Sequence, residues 1–205
     1  YPFKGHSDTE ALLAAIDLWG VDEALQQVDG MFAFALWDRS EHSLVLARDR
    51  IGKKPLYFGW SGAAFLFGSE LKALCAHPDF DRAISRDALG QYVRFGWVPE
   101  PWSIFASVRK LAPGHLIRVT PGSPAWSAQP ECYWSARQVC ERASRNPFAG
   151  SYPQAVDRLD ALLAQAVGER MVADVDPLVR GFSVVALGMA KRAFDPKPLM
   201  DCLTK

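Results

Sequence analysis

Hydrophobic residues recur every three or four positions in two segments of the chain, and each segment begins with a helix-capping pattern. The first begins with Ser7 and Glu10, and Gly20 suits the position just after a helix. The second begins with Ser151 and Gln154. Its apolar stripe comprises Val156, Leu159, Leu163, Val167 and Met171. The spacing therefore predicts a helix near each end of the chain.

Between these segments, short apolar runs alternate with turn residues, which is typical of β-strands. Met31–Trp37 is apolar on both alternating faces, so we expect a central strand that is covered on two sides. Ser61 and Gly62 form a tight hairpin signal. Further strands are predicted at 44–48, 55–60, 63–68 and 115–119, with helices at 22–28, after Ser69 and after Ser85. Together these elements predict a mixed α+β chain.

The composition changes between Thr120 and Gly150, where Pro, Ser, Gly, Gln and Arg dominate. Such a composition is typical of a linker or an extended connecting arm. We therefore divide the chain into a first domain at 1–119, a linker at 120–150 and the start of a second domain at 151–205.

The charge balance narrows the class of partner. The 205 residues include 23 basic and 23 acidic side chains, so neither a nucleic acid nor an anionic membrane is expected as a partner.

The cysteines are sparse and lack CxxC spacing, and the histidines are scattered, so we expect no metal site and a reduced, cytoplasmic location. The four cysteines are Cys75, Cys132, Cys140 and Cys202.

Asp8 is the first residue with candidate chemistry. A carboxylate in the first turn of a helix is favoured by the helix dipole, and it could also hold the ammonium group of a ligand. The sequence pattern leaves both interpretations open. The neighbouring His6 and Ser7 complete the residue types of a catalytic triad, but adjacent residues do not meet in triad geometry.

Arg48–Lys54 is the most unusual charged segment, with five charges around Gly52. It could bind a phosphate or a carboxylate, it could be a solvated turn, or it could hold one domain against another through an arginine fork. Composition alone favours the solvated turn.

Several quoted blocks, taken in order and spacing, resemble the glutamine-hydrolysing asparagine synthetases. They are GHSDTEALLAAIDLWG (5–20), GMFAFALWD (30–38), LARDRIGKKPLYFGW (46–60), FGSELKAL (67–74) and LAPGHLIRV (111–119). AVDRLDALLAQAVGERMVADV (155–175) resembles the first helix of the synthetase half of that family.

The resemblance implies a partial glutaminase sandwich of the N-terminal-nucleophile type (αββα), followed by a linker and the first helix of an α/β synthetase domain. It implies that ammonia from glutamine amidates an aspartate activated by ATP and Mg²⁺. Glutamine, aspartate and ATP are then the partners of the intact family. Related amidotransferases use other acceptors in peptide, polysaccharide and β-lactam pathways, and the quoted blocks do not discriminate among acceptors.

The resemblance also assigns site residues. Asp8 matches the acid that binds the α-ammonium group of glutamine. The nucleophile of the family is an N-terminal cysteine, whereas position 1 here is Tyr and no cysteine occurs before Cys75. The blocks that supply the substrate arginine and the oxyanion hole are also absent, so no catalytic residue is assigned and these 205 residues alone are expected to be inactive.

Asp176–Ser183 stands where the family has a glycine-rich turn around the diphosphate of ATP. With a single Gly181, the segment is expected to be a remnant of that turn, so we expect this chain to bind neither ATP nor Mg²⁺. The alternatives are a non-catalytic remnant, a subunit that docks on an intact relative, or an amidotransferase with another acceptor. Association into homo-oligomers stays open.

Overall fold

The computed structural model describes residues 3–5, 7–120 and 128–171. In chain order the elements are α1 (Asp8–Gln27), β1 (Ala33–Asp38), β2 (Ser43–Arg48), β3 (Tyr57–Ser61), β4 (Ala64–Gly68), α2 (Leu71–Leu74), α3 (Arg86–Phe95), β5 (Val108–Lys110), β6 (His115–Val119), β7 (Glu131–Cys132), α4 (Ala136–Arg145) and α5 (Tyr152–Met171). Residues 31–136 form one compact unit, and the described residues on either side of it form a second.

Two antiparallel sheets make up the unit at 31–136. The first has the strand order β1-β2-β6-β7, and the second has the order β4-β3-β5. Leu46 of β2 lies opposite Ile117 of β6, and Tyr57 of β3 lies opposite Lys110 of β5. The chain is therefore a mixed α+β fold, as the sequence pattern predicts.

A hydrophobic cluster joins the two sheets. Leu46 and Ile117 from the first sheet pack with Phe58 from the second, and all three side chains are buried. Full burial of a side chain of this size contributes about 1.5–3 kcal/mol to stability. A smaller cluster of Leu74, Phe80 and Val108 lies beside the second sheet. The two-sheet sandwich that the family resemblance implies is therefore present in this unit.

The prediction for the first strand is wrong in one respect. Met31–Trp37 was expected to be a central strand that is covered on both faces, but β1 begins at Ala33 and lies at the end of the described sheet order, paired with β2. Trp37 is 51% exposed. An apolar run indicates a strand, but it does not distinguish a central position from an edge because the partner strands are set by the fold.

Local turn and capping signals were mostly predicted correctly. Gly62, with a φ of 60°, turns the chain between β3 and β4, and the Ser85 side chain caps α3 by accepting the Ala88 N–H. Gly96 ends α3 in the left-handed conformation. The prediction that Ser69 caps α2 is wrong, because the cap position is Glu70, one residue later.

In the second unit, Gly20 interrupts α1 with a non-helical φ of 76°, which agrees with two predicted helices on either side of it. Gln154 accepts the Ser151 N–H at 2.8 Å at the start of α5, as its capping pattern predicts. Helix α4 lies within the segment at 120–150 that was expected to be a linker or an extended connecting arm. Ala136, Val139, Cys140 and Ala143 recur at helical spacing, a signal that the Pro- and Ser-rich composition of the whole segment obscured.

The part of the apolar stripe of helix α5 whose side chains are described, at 156–163, is exposed to solvent. Val156, Leu159 and Leu163 are all exposed, and Leu159 is 57% exposed. Among the described residues, no helix combines the length and the apolar composition needed to cross a membrane.

Candidate functional site

Asp8 is the first residue of α1 and its side chain is exposed. Its Oδ1 accepts the Thr9 N–H at 2.8 Å, and the Oγ of Ser7 accepts the same N–H at 3.1 Å. Because the first N–H groups of a helix have no partner within the helix, both oxygens act as caps. The bond to Thr9 also fixes the direction in which the exposed carboxylate points.

The Glu10 carboxylate reaches back from the first turn of α1, as its capping pattern predicts, but its partners differ from the expected ones. Oε1 accepts the Lys4 N–H and Oε2 accepts the Gly5 N–H, each at 2.7 Å. In a capping box the acid would instead accept the N–H of the cap residue, here Ser7. Glu10 therefore binds two consecutive backbone amides upstream of the cap.

Arg48 ends β2 and is only 6% exposed. Its Nη1 donates at 2.6 Å to both Glu100 Oε1 and the Leu111 carbonyl, its Nε donates to the Lys54 carbonyl, and its Nη2 donates to the Gly52 carbonyl. The planar guanidinium thus joins three separate stretches of chain.

Asp49 follows directly and is 1% exposed. Its Oδ1 accepts the N–H groups of Ile51 and Lys53, at 3.2 and 2.9 Å, and its Oδ2 accepts the Lys54 N–H at 3.0 Å. The turn also requires Gly52, whose φ is 68° and where a Cβ would lie 2.8 Å from a ring carbon of Pro113.

Tyr133, 85 residues after Arg48 in the chain, binds the backbone of the same group. Its hydroxyl donates to the Arg48 carbonyl at 2.7 Å, and its backbone N–H donates to the Gly114 carbonyl. Burial raises the pKa of Tyr133 well above its ordinary value, with Arg50 opposing the shift. We call Arg48, Asp49, Glu100, Tyr133 and the backbone of 51–54 the Arg48–Asp49 cluster.

The structure overturns the solvated-turn interpretation for Arg48 and Asp49, whereas Lys53 and Lys54 are exposed. Arg48 and Asp49 are buried, and their polar atoms bind the backbone of the same unit. Buried charges are tolerated when they are hydrogen-bonded in this way. Sequence analysis missed Glu100 and Tyr133 as partners of Arg48, because both lie far along the chain from Arg48 and the fold brings them together.

The described cysteines differ in exposure. Cys75 is half-buried, whereas Cys132 and Cys140 are exposed. The described residues contain no group of three His, Cys, Asp or Glu side chains that could hold a metal ion. His6, Cys202 and the predicted remnant at Asp176–Ser183 lie outside the described residues.

The chain is similar to proteins of known families. The profile of a family described as the glutamine amidotransferase domain matches residues 1–134. Asparagine synthetase [glutamine-hydrolyzing] 3 of Bacillus subtilis (strain 168) is 32% identical over 177 residues, which are 85% of this chain and 27% of that protein. Asparagine synthetase [glutamine-hydrolyzing] 1 of the same organism is 40% identical over 121 residues, 59% of this chain and 19% of that protein.

The chain thus spans about a quarter or less of the length of these curated relatives. A solved structure described as that of the allosteric regulatory enzyme of purine biosynthesis matches with a TM-score of 0.44 and 20% identity, covering 65% of this chain and 23% of that one. The resemblance of the quoted sequence blocks to the asparagine synthetases is confirmed by the curated relatives.

Proposed function

Because the chain belongs to the glutamine amidotransferase domain family, we propose that it is part of an enzyme that makes asparagine. Ammonia released from glutamine amidates an aspartate that has been activated by ATP. Residues 1–119 contribute to the glutaminase domain, 120–150 connect the domains, and 151–205 begin the synthetase domain. The relatives named asparagine synthetase support this assignment.

The exposed carboxylate of Asp8 carries the proposal. It lies within the matched segment, and the Thr9 N–H holds Oδ1 in one direction. An ammonium group that meets this carboxylate forms a charge-assisted hydrogen bond, which is roughly twice as strong as a neutral one. Asp8 therefore binds the α-ammonium group of glutamine and orients the side-chain amide for attack.

Amide hydrolysis also needs a nucleophile, and the chain has no cysteine before Cys75. We expect residues 1–205 alone to release no glutamate from glutamine. ATP and Mg²⁺ would supply the activation of aspartate in the synthetase half.

The test is an Asp8→Asn substitution in the natural polypeptide that carries these residues. Asn keeps a side-chain acceptor for the Thr9 N–H but removes the charge, so the KM for glutamine should rise about tenfold or more. Synthesis from free ammonia should be unchanged because it bypasses glutamine. Asp17→Asn, on an exposed acid of the same helix, is the matched control and should leave both activities unchanged.

An unchanged KM for glutamine in Asp8→Asn would contradict the assigned role of Asp8. The acceptor is tested separately by amino-acid analysis of the product formed from glutamine, ATP and aspartate. Glutamine hydrolysis without asparagine would favour a different acceptor, whereas neither activity in the natural polypeptide would favour a remnant or a docking subunit.

A further inference from the structure

The Glu10 carboxylate binds the backbone shortly before Asp8 in the chain. Its two oxygens each accept one N–H, from Lys4 and from Gly5, at 2.7 Å. Both distances are at the short end of the range for N–H donors, as expected when the acceptor is charged. Two bonds from one rigid carboxylate to consecutive amides fix the orientation of that peptide as well as its position.

These two hydrogen bonds also constrain Asp8, through the backbone that precedes helix α1. Asp8 is attached to the helix by its bond to the Thr9 N–H. Only two residues separate Gly5 from Asp8 in the sequence, so a fixed Gly5 limits the positions that Asp8 can take. The Asp8 carboxylate is therefore held by Thr9 on one side and, through the backbone, by Glu10 on the other.

The same bonds explain why two acids can lie so close together in one turn. The negative charge of Glu10 meets two backbone N–H groups, while the exposed Asp8 carboxylate has solvent on its open side. Because Asp8 is exposed whereas Glu10 is half-buried and binds two backbone donors, we assign the contact with a ligand ammonium group to Asp8.

We propose that Glu10 is a positioning residue for glutamine binding: it acts through the backbone at Lys4 and Gly5 to hold Asp8 in its binding orientation. This inference rests on the proposed function of Asp8. It assigns to Glu10 an effect on the affinity for glutamine rather than a contact with glutamine.

The first test is Glu10→Gln in the natural polypeptide. The amide keeps the length of the side chain but offers one oxygen, and its NH₂ group faces a second backbone donor. We expect the KM for glutamine to rise by about five- to tenfold through the loss of one charge-assisted bond and the donor–donor contact. Synthesis from free ammonia should be unchanged. Glu23→Gln is the matched control, since Glu23 is an exposed acid beyond the Gly20 break of α1 that accepts a bond from Gln27, and it should have no effect.

A double-mutant cycle separates positioning from general structural damage. If Glu10 acts through Asp8, Glu10→Gln should raise the KM for glutamine in the wild-type background and have no further effect in an Asp8→Asn background. Equal effects of Glu10→Gln in the two backgrounds would overturn the proposal. Hydrogen exchange should also accelerate at the amides of Lys4 and Gly5 in Glu10→Gln, and unchanged exchange there would likewise overturn it.

The failure of this inference can be told apart from the failure of the proposed function. If Asp8→Asn raises the KM for glutamine and Glu10→Gln does not, Asp8 keeps its role and Glu10 has no positioning effect. If Asp8→Asn leaves the KM unchanged, the assigned function of Asp8 fails first, and the inference about Glu10 fails with it.

Discussion

Asp8 and Asp49 are both carboxylates that accept backbone N–H groups in a turn, yet their roles differ. Asp49 is 1% exposed and accepts three backbone N–H groups, so its bonding capacity is used within the protein. Asp8 is exposed, and its Oδ1 accepts the Thr9 N–H. Burial, more than residue type, decides which acid stabilises the fold and which one can meet a ligand.

The comparison also shows why the number of charges in a segment is a poor guide to its role. Arg48–Lys54 is far more highly charged than the start of α1, and this favoured a solvated turn. In the structure, however, the charge of Arg48 joins parts of the chain that lie 63 residues apart, as its bond to Leu111 shows, and the charge of Asp49 binds the backbone of the turn. The less conspicuous acid, Asp8, is the one that is open to solvent.

The largest effect on stability is expected for Asp49→Ala. The substitution leaves three backbone N–H groups in a partly buried turn without their acceptor, and each such loss costs about 1–3 kcal/mol. We therefore expect the free energy of unfolding to fall by at least about 3 kcal/mol in chemical denaturation.

Asp38→Ala is the matched control for Asp49→Ala. Asp38 ends β1, much as Asp49 follows the end of β2, and it accepts the backbone N–H groups of Ser40 and Glu41, but in a solvated turn. The Ser40 hydroxyl and these N–H groups hold the pKa of Asp38 below its ordinary value. Water can replace the lost acceptor there, so the loss of stability should be much smaller. Equal losses for the two variants would contradict the role assigned to burial.

A smaller but still large loss is expected for Arg48→Lys. Lysine keeps the charge and can still reach Glu100, but its single ammonium cannot match the planar fork that reaches Gly52, Lys54 and Leu111. We expect a loss of about 2–3 kcal/mol in the free energy of unfolding. Arg39→Lys, on an exposed turn, should be neutral. A neutral Arg48→Lys would show that the charge alone suffices.

Local sequence signals predicted much of the secondary structure, but they did not predict the contacts between residues that are distant in the chain. The Ser85 cap, the Gly62 turn and the Gly20 break depend on neighbouring residues, so the sequence reveals them. The edge position of β1 and the partners of Arg48 depend on chain segments brought together by folding, so a single sequence does not. The Glu10 contacts fall between these cases, since the residue type was recognised but its partners were not.

A moderate effect that depends on pH is expected at Tyr133. In the unfolded chain its hydroxyl ionises near the ordinary pKa of 10.0, whereas burial keeps it protonated in the folded state to higher pH. Above pH 10 the unfolded state therefore binds fewer protons than the folded state, and the free energy of unfolding falls as the pH rises. Tyr133→Phe should remove this part of the decline and cost about 1 kcal/mol at pH 7 through the lost bond to the Arg48 carbonyl.

The two proteins must be compared over the same pH range because Lys110 also titrates there. Burial lowers the pKa of Lys110, opposed by Glu100, so its effect on stability has the opposite sign. That effect is common to wild type and variant, and it cancels in the difference. Parallel declines of the two proteins above pH 10 would contradict the assignment to Tyr133.

The smallest effect on stability is expected for Asp8→Ala, and it tests the other side of the comparison. The substitution removes a first-turn charge and one of two acceptors for the Thr9 N–H, but the Ser7 Oγ still accepts that group. The loss in the free energy of unfolding should be under about 1 kcal/mol. Ser7→Ala, which leaves the Asp8 acceptor in place, is the control and should cost a similar amount. If Asp8→Ala instead destabilised the protein as much as Asp49→Ala, Asp8 would be a structural acid as well. Its exposure would then no longer be a reason to assign it to ligand binding.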